Sequence, residues 1–365
     1  MKKTALLLLL CMAVQGATCQ QIRNLIYLIG DGMGLAHVSM LRIENGYEPT
    51  AFDRAQHVAL ISSQSANNRV TDSAAAGTAL ATGHKANNGS LGQLPDGTPV
   101  QSLVATAARR DFATGLAVTC YLQHATPAAF YAHTGRRGDL RHITRDMLAS
   151  DIDVLLGGGR RWLAEEESAG RTYLDAFRQR GYRIAERMAD TDAVHEGRLL
   201  GVFAEEELPD IRTRDTSYLA AATAKALEIL SNNVAKGDRG LVLMVEGSHI
   251  DYAAHRNDAP WLLEELRDFE RAVRTAMDFA DRTPGTLVVV TADHETGGLS
   301  IPSCKTDFTQ AESGIQYDFG STSHTGSMLP VFFYGEGADR ISGILDNTEL
   351  PRRLAQLLGL ELQDE

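Results

Sequence analysis

The sequence lacks several features that would assign it to a common class of protein. Its 365 residues include only four cysteines and two tryptophans, and 35 Lys and Arg side chains face 47 Asp and Glu. The net charge of -12 that results argues against a nucleic-acid-binding surface. No internal repeat or low-complexity tract occurs, which excludes solenoid and fibrous architectures.

Long hydrophobic runs are also missing. The apolar stretch from Ala5 to Val14 is too short to cross a bilayer, so we predict no transmembrane segment. The stretch follows Lys2-Lys3 and precedes the small residues that end at Cys19, a pattern that predicts a secretory signal peptide over residues 1–19. We therefore expect a periplasmic or secreted protein. Lipidation of Cys19 is the less favoured alternative, because the preceding residues lack the Leu usual in a lipobox.

Two cysteines remain after the predicted leader, Cys120 and Cys304. An oxidising compartment would permit them to pair, but their spacing does not decide whether they do. The alternative for Cys120, which lies four residues before His124, is a small buried apolar side chain.

Two familiar nucleophile motifs are absent. There is no G-x-S-x-G elbow, so a Ser-His-Asp hydrolase of the usual α/β type fits poorly. The C-x-P-x-R segment expected of a sulfatase is replaced by Thr71-Asp72-Ser73-Ala74 at the candidate nucleophile.

Continuous apolar runs alternate with helix-like segments along the chain. This alternation predicts an α/β fold, a three-layer α/β/α sandwich with a large, mostly parallel central sheet. The predicted strands are 24–29, 114–119, 154–156, 240–245, 286–291 and 331–334, and the predicted helices include 100–109, 217–232 and 262–281. We expect residues 20–365 to form one domain, with a polar surface insertion of short helices at about 160–214 and a short insertion at about 299–323.

Carboxylates and imidazoles follow or end several of these apolar runs. They are Asp31, Glu246, Asp251, His255, Asp293, His294 and, before the last strand, His324. Oxygen and nitrogen ligands without nearby thiolates suit catalytic zinc and, where oxygens dominate, magnesium. Asp251 and His255 are four residues apart, so on a helix they share a face. Each residue alone could be a satisfied structural group, but their joint occurrence favours a multinuclear metal site.

Ser73 is the candidate nucleophile. It opens a run of small residues from Ala74 to Ala81 that predicts a helix packed closely against a sheet. A serine at a helix start lies beside free N–H groups and the positive end of the dipole, which favours a phosphate. The alternative is that Asp72 or Ser73 is simply the N-cap of that helix.

Six motifs, in order, resemble the alkaline phosphatase family. They are D-G-M-G at 31–34, T-D-S-A-A at 71–75, H-A-T-P-A-A at 124–129, V-E-G-x-x-I-D at 245–251, T-A-D-H-E-T-G-G at 291–298 and H-T-G at 324–326. Each motif alone is weak evidence, but six in order identify the chain as a member. The family is usually dimeric, so the resemblance leaves a homodimer open.

The resemblance implies a role for each matching residue. Ser73 would form a phosphoserine intermediate. One zinc ion would be held by Asp251, His255 and His324, and a second by Asp31, Asp293 and His294. One magnesium ion would be held by Asp31, Thr126 and Glu246. The implied substrates are small phosphate monoesters, with inorganic phosphate as product.

Three further positions follow from the same resemblance. A phosphate-binding Arg is expected about a dozen residues after His124, where Arg136 and Arg137 both stand, and the family spacing favours Arg137. Family members carry Asp or His at His124, and a His there could lie outside the magnesium ligands, so we leave it out of the ligand set. For His249 we favour exposure to solvent over contact with the substrate.

Three other functions remain open. A phosphodiesterase or a sulfatase-like hydrolase would share the broad fold and much of the metal site. A phosphate- or metal-binding protein without turnover would explain the ligands but would leave Ser73 without a role.

Overall fold

The computed structural model describes residues 22–168, 170–304 and 314–362. The predicted signal peptide, including Cys19, and part of the predicted insertion at 299–323 lie outside these ranges. Within the described residues, no helix combines the length and the apolar character needed to cross a membrane.

Sixteen strands occur in the described part of the chain. In chain order they are β1 Asn24–Gly30, β2 His57–Ser62, β3 Ala113–Tyr121, β4 Val154–Gly158, β5 Glu166–Ser168, β6 Arg171–Thr172, β7 Tyr182–Ala185, β8 Arg198–Val202, β9 Leu241–Gly247, β10 Thr286–Thr291, β11 Glu295–Thr296, β12 Leu299–Ser300, β13 Asp318–Phe319, β14 His324–Thr325, β15 Leu329–Gly335 and β16 Gly343–Asp346.

Eleven α-helices connect these strands within the same ranges. They are α1 Leu35–Glu44, α2 Ser73–Thr82, α3 Leu103–Ala108, α4 Ala125–Ala128, α5 Leu140–Ala149, α6 Arg160–Leu163, α7 Tyr173–Gln179, α8 Tyr218–Ala235, α9 His249–His255, α10 Ala259–Arg282 and α11 Glu349–Leu357. Short 3-10 helices occupy Ala51–Arg54, Met188–Ala193 and Ala338–Arg340.

Ten of the described strands form one sheet in the order β16-β2-β15-β10-β1-β9-β3-β4-β8-β7. Of these ten, only β15 runs antiparallel to its neighbours, β10 and β2. Every residue of β1, β9 and β10 is buried, as expected for strands covered on both faces. The prediction of a large, mostly parallel central sheet is confirmed.

Helices cover both faces of this sheet. The ring of Tyr27 in β1 meets Phe130, just after α4, at a centroid distance of 6.2 Å. Its neighbour Ile26 points to the other face, where the strand register also places Gly115, and Gly115 lies against Leu230 of α8. The sheet therefore lies between two helical layers, which confirms the predicted sandwich.

The segment 160–214 differs from its expected form. The short helices α6 and α7 are present, but β7 and β8 also occur there and extend the central sheet beyond β4. Leu199 and Leu200 of β8 are fully buried, because they pack within the sheet and not on its surface. This part of the chain thus belongs to the main α/β layer structure at one edge.

The single reversed strand explains how a residue that precedes a strand can join residues that follow strands. Parallel strands have their carboxyl ends at one edge of the sheet, and that edge collects functional groups in open α/β folds. Because β15 is antiparallel, its amino end lies at the same edge. His324 in β14, shortly before β15, is therefore carried to this edge.

Candidate active site

The predicted metal ligands meet at the carboxyl edge of the sheet. Asp31 directly follows β1, Asp293 and His294 follow β10, and Glu246 is the penultimate residue of β9. The pair β11–β14 aligns Thr296 with His324, so the two segments that carry His294 and His324 run side by side. The rings of these two histidines stack with centroids 3.5 Å apart.

The turn after β1 depends on glycine. Gly32 has a φ of 78°, and a Cβ at this position would lie 2.9 Å from the Cα of Asp251. Its backbone N–H donates a 3.1 Å hydrogen bond to Oδ1 of Asp293. Gly32 therefore lets the segment that carries Asp31 approach both α9 and the end of β10.

Asp251, His255 and His324 form the first group of ligands. Nε2 of His255 lies 3.2 Å from Oδ2 of Asp251, and Nε2 of His324 lies 3.7 Å from Oδ1. Nδ1 of His255 lies 2.7 Å from the carbonyl oxygen of Thr322, and Nδ1 of His324 lies 2.9 Å from that of Thr71. Since carbonyl oxygens accept, each Nδ1 carries a hydrogen, and each Nε2 is left to face the carboxylate and any ion beside it.

The charges of this group are strongly coupled. The hydrogen bond with Asp251 raises the pKa of His255 to about 9. Burial disfavours the anion of Asp251, but the hydrogen bond from His255 and the surrounding imidazoles together hold its pKa below the usual value. The group therefore favours an ionised carboxylate next to positive charge.

Asp31, Asp293 and His294 form the second group, and Ser73 lies beside it. All three ligands are completely buried. Nε2 of His294 lies 3.4 Å from Oδ1 of Asp31, 3.2 Å from Oδ2 of Asp293 and 3.2 Å from Oγ of Ser73. One nitrogen thus touches both carboxylates and the candidate nucleophile.

The described residues stabilise the anionic forms of the two carboxyl groups in this second group only poorly. Both oxygens of Asp31 and Oδ2 of Asp293 accept no hydrogen bond from them. Burial, followed by repulsion from Asp293, Asp251 and Glu246, raises the pKa of Asp31 well above its usual value. Burial also raises the pKa of Asp293 to about 6 and lowers that of His294 to about 4. Buried carboxylates of this kind require a cation to be stable as anions.

Glu246 and Thr126 form a third set of candidate ligands, which we call the third corner of the site. Both side chains are fully buried, and neither Oε1 of Glu246 nor Oγ1 of Thr126 has a hydrogen-bond partner among the described residues. Burial raises the pKa of Glu246 to about 8. His124 caps the start of α4 two residues before Thr126, and burial lowers its pKa to about 3, so the ring is neutral.

At this turn Asp72 is the helix N-cap, and Ser73 is left as the candidate nucleophile. Asp72 is the N-cap of α2, since its Oδ1 accepts a 3.0 Å hydrogen bond from the N–H of Ala75. Ser73 is the first helical residue, is 3% exposed and directs its hydroxyl to His294. Capping by Asp72 therefore fixes the helix start that presents Ser73.

Arg137, and not Arg136, reaches this turn. Nη1 of Arg137 donates to Oδ2 of Asp72 at 3.1 Å, and Nη2 donates to Nε2 of His124 at 3.3 Å. The Arg136 side chain is exposed. A guanidinium anchored on Asp72 lies beside Ser73, where it can bind phosphate oxygens.

The donor atoms suit divalent ions. The unpartnered buried oxygens of Asp31, Asp293 and Glu246 are the hard anionic ligands that such ions require, and imidazole nitrogens are ligands of the type zinc prefers. Ligand atoms of Asp251, His255 and His324, and of Asp31, Asp251 and His294, lie within 4.8 Å of one another. The arrangement can hold several cations next to a buried hydroxyl, which suits transfer of an anionic group.

Sequence reasoning missed one hydroxyl that joins the first two groups. Oγ1 of Thr296 donates a 2.6 Å hydrogen bond to Oδ1 of Asp251 and lies 3.1 Å from Nδ1 of His294. The register of β11 with β14 places it there, and its position in the T-A-D-H-E-T-G-G motif is the signal that could have found it.

The expectation for His249 was wrong. Its side chain is 2% exposed, its Nδ1 lies 3.1 Å from Nη1 of Arg214, and its ring stacks on Tyr252 at a centroid distance of 5.0 Å. Arg214 also pairs with Glu265 at 2.6 Å and Asp268 at 2.8 Å in the interior. His249 therefore belongs to a buried ionic network behind the site.

The two later cysteines are not paired with each other. Both are free, Cys120 in the interior and Cys304 on the surface.

Comparison with known proteins agrees with this geometry. A family model described as alkaline phosphatase matches residues 22–314. Alkaline phosphatase 4 of Bacillus subtilis (strain 168) is 31% identical over an alignment of 417 positions, gaps included, that covers 93% of this chain and 89% of that protein. The structure of alkaline phosphatase from the Antarctic bacterium TAB5 superposes with a TM-score of 0.86 at 32% identity, covering 93% of this chain and 99% of that one. A TAB5 mutant with Mg bound in the M3 site gives the same TM-score at 31% identity, with 94% and 99% covered.

Proposed function

The chain belongs to the alkaline phosphatase family and is a phosphomonoesterase, and on this premise we propose that it works through a phosphoserine on Ser73, assisted by two zinc ions and one magnesium ion. The proposed ligands are Asp251, His255 and His324 for one zinc, Asp31, Asp293 and His294 for the other, and Asp31, Thr126 and Glu246 for magnesium. The observation that carries the proposal is the 3.2 Å contact between Oγ of Ser73 and Nε2 of His294. It lies among buried carboxylates whose oxygens include several without a hydrogen-bond partner in the described residues.

The surroundings of Ser73 support its role as nucleophile. When bound, the divalent ions would lower the pKa of a hydroxyl beside them and neutralise charge on the transferring group. The hydroxyl loses its proton to solvent as its oxygen attacks phosphorus, the bond from phosphorus to the ester oxygen breaks, and the leaving oxygen takes up a proton from solvent. Water then attacks the phosphoserine, which releases inorganic phosphate and restores the hydroxyl.

Two features of this chain would orient the phosphate. Arg137 presents a fork of N–H donors beside Ser73, already held by Asp72 at 3.1 Å. The start of α2 adds free backbone N–H groups and the positive end of the helix dipole. Both features stabilise the charge that develops on the non-bridging oxygens in the transition state.

The third corner favours monoesters over diesters. A monoester carries one more charged non-bridging oxygen than a diester, and a cation near Thr126 and Glu246 would oppose that charge. Turnover of a phosphate monoester and of a matching diester under the same conditions tests this directly. Faster cleavage of the diester, or of a sulfate ester, would contradict the proposal.

Acid-quenched turnover tests the covalent step. With a substrate labelled in its phosphoryl group, the label is expected on Ser73, and Ser73→Ala should lose both the label and nearly all turnover. Ser39→Ala is a matched control, because the Ser39 hydroxyl lies on α1 and bonds only its own helix, at Leu35. Full activity in Ser73→Ala would overturn the covalent mechanism. Binding of phosphate without any turnover would favour a non-catalytic binding protein.

We also propose a periplasmic or secreted location, supported by the leader-like pattern of residues 1–19. The exported protein is expected to begin after Cys19. Terminal sequencing of the exported fraction tests this, and lipid attached at Cys19 would favour the anchored alternative. From the likeness to the family we also propose a homodimer. Measurement of the molecular mass in solution tests this proposal.

A further inference from the structure

A buried thiol lies at the corner proposed for magnesium. Sγ of Cys120 donates to Oε2 of Glu246 at 3.5 Å. Ligand atoms of Cys120, His124 and Glu246 all lie within 4.8 Å of one another, and all three residues are buried. The proposed zinc and magnesium ligand sets contain no sulfur, so this thiol is left without a function by the proposed mechanism.

The sheet fixes the thiol in this position. Strands β3 and β9 are parallel neighbours, with Val118 paired to Glu246. Just beyond that pair, the N–H of Cys120 donates to Oγ of Ser248 at 3.2 Å, and the N–H of Ser248 donates to Oγ1 of Thr119 at 2.9 Å. These reciprocal bonds hold the ends of both strands together, so Cys120 and Glu246 face each other on rigid backbone.

The other polar atoms at this corner also point to a ligand. Nδ1 of His124 and Oε1 of Glu246 are buried and have no hydrogen-bond partner among the described residues. His124 is 7% exposed and Glu246 is fully buried. A buried oxygen without a donor is costly, and a cation would satisfy Oε1 of Glu246. Nδ1 of His124 can bind the same cation once the ring hydrogen moves to Nε2, which then gives up its bond from Arg137.

The spacing suits a small, soft cation. A tetrahedral ion about 2.0 to 2.3 Å from its ligands keeps the ligand atoms roughly 3.3 to 3.8 Å apart. The observed separation of 3.5 Å between the Cys120 sulfur and the Glu246 oxygen falls within this interval.

We propose that this corner is a mixed nitrogen, oxygen and sulfur site that takes a thiophilic divalent ion, Zn²⁺ or Co²⁺, with Cys120 as its sulfur ligand. Magnesium prefers oxygen ligands in octahedral geometry, whereas thiolates select softer ions, so the two kinds of ion compete for Glu246. When the soft ion binds, the S–H proton passes to solvent as the bond from sulfur to the metal forms. This inference rests on the proposed function only in placing a cation at Glu246.

Cobalt substitution tests the sulfur ligand directly. The metal-free protein is loaded with excess Co²⁺, and its near-ultraviolet absorption is recorded, where thiolate-to-cobalt charge transfer appears. We expect this band in the native chain and its loss in Cys120→Ser and Cys120→Ala. The matched control is Cys304→Ser, which removes the exposed thiol and should keep the band. A native chain without the band, or a band lost only in Cys304→Ser, overturns the proposal.

X-ray absorption keeps the test decisive if neither Cys120 variant folds normally by circular dichroism. The Cys304→Ser protein loaded with zinc should show a sulfur neighbour at about 2.3 Å. Spectra with nitrogen and oxygen neighbours alone overturn the sulfur ligand. Monoester turnover is measured separately on the same preparations. A charge-transfer band without turnover would contradict the proposed function but support the sulfur ligand. Turnover without the band or the sulfur neighbour would support the proposed function but contradict the sulfur ligand.

Discussion

Thr296 donates a 2.6 Å hydrogen bond to Asp251 through its hydroxyl, which also lies 3.1 Å from Nδ1 of His294. One small side chain therefore orients a carboxylate of the first ligand group and the imidazole of the second. The threonine hydroxyl donates to the carboxylate and can accept from Nδ1 of His294. The ring hydrogen then lies on Nδ1, so Nε2 carries no hydrogen and faces Ser73.

Replacing this hydroxyl should loosen metal binding. In Thr296→Val, which keeps the side-chain shape, zinc affinity is expected to fall by about 10- to 100-fold, since outer hydrogen bonds to ligands typically contribute this much. Competition with a chromogenic chelator measures the change without relying on turnover. Thr296→Ser keeps the hydroxyl and should bind zinc nearly as the native chain does. Equal losses in the two variants would mean that packing matters and the hydrogen bonds do not.

Removing the metals should change Asp31→Asn from a destabilising substitution into a stabilising one. Asp31 is fully buried among Asp293, Asp251 and Glu246, and its pKa is raised well above the usual value by burial and by their repulsion. At alkaline pH, chelation is expected to lower the melting temperature of the native chain. Asp31→Asn should be less stable than the native chain with metals but more stable, by about 1 to 3 kcal/mol, after chelation. Denaturant unfolding of both proteins in both states measures this, and a destabilising effect in both states would contradict it.

Adding one methyl group at Gly32 should disturb the site through the backbone. Gly32→Ala combines a φ of 78° with a Cβ only 2.9 Å from the Cα of Asp251, and it should cost at least about 3 kcal/mol of unfolding free energy. Gly46→Ala is the matched control, because Gly46 has a φ of 66° and open space around it. Its cost should be about 1 kcal/mol, from the backbone conformation alone. Similar costs at the two positions, by urea unfolding, would show that the close approach to Asp251 is unimportant.

Stability should depend on pH through a carboxyl group far from the site. Burial raises the pKa of Asp153 to about 6 from a usual value of 3.8, although it accepts a 2.9 Å hydrogen bond from the N–H of Thr114. Between these values the folded chain binds a proton that the unfolded chain has released, so stability falls as pH rises. The total loss is expected to be about 3 kcal/mol, spread from about pH 3 to about pH 7.

Asp153→Asn should remove this loss, because the amide does not titrate and its oxygen still accepts from Thr114. Asp151→Asn is a graded comparison, because the nearby Asp151 charge adds to the rise in the pKa of Asp153, and it should reduce the loss without removing it. Urea unfolding of the metal-loaded proteins across this pH range is the measurement. A native profile that is flat, or one that Asp153→Asn does not flatten, contradicts the assignment.

The sequence predicted those parts of the molecule whose signals are local. Buried strands appear as continuous apolar runs, and the four-residue spacing of Asp251 and His255 places both on one face of α9, so the fold and part of a ligand group could be expected. The family resemblance extended this to residues far apart in sequence. The structure brings these residues together, as the distances among Asp31, His294 and Ser73 show.

The features that the sequence did not predict depend on contacts between residues that are far apart in the chain. His249 was expected in solvent because its burial requires Arg214, Glu265 and Asp268, which lie on other segments. The strands β7 and β8 were missed because charged residues surround them and only their place beside β4 buries Leu199 and Leu200. Thr296 lies within the T-A-D-H-E-T-G-G motif, but the motif does not show that its hydroxyl contacts both Asp251 and His294.

The central strand β1 pairs with β9 and β10, and His324 reaches the metal ligands only through the reversed strand β15. During synthesis, Asp31 emerges from the ribosome long before the residues that complete either ligand group. The chain therefore has no assembled pocket for divalent ions until nearly all of it has been made. With the proposed ligand sets, divalent ions would bind late in synthesis, after β10 for the second group and after His324 for the first.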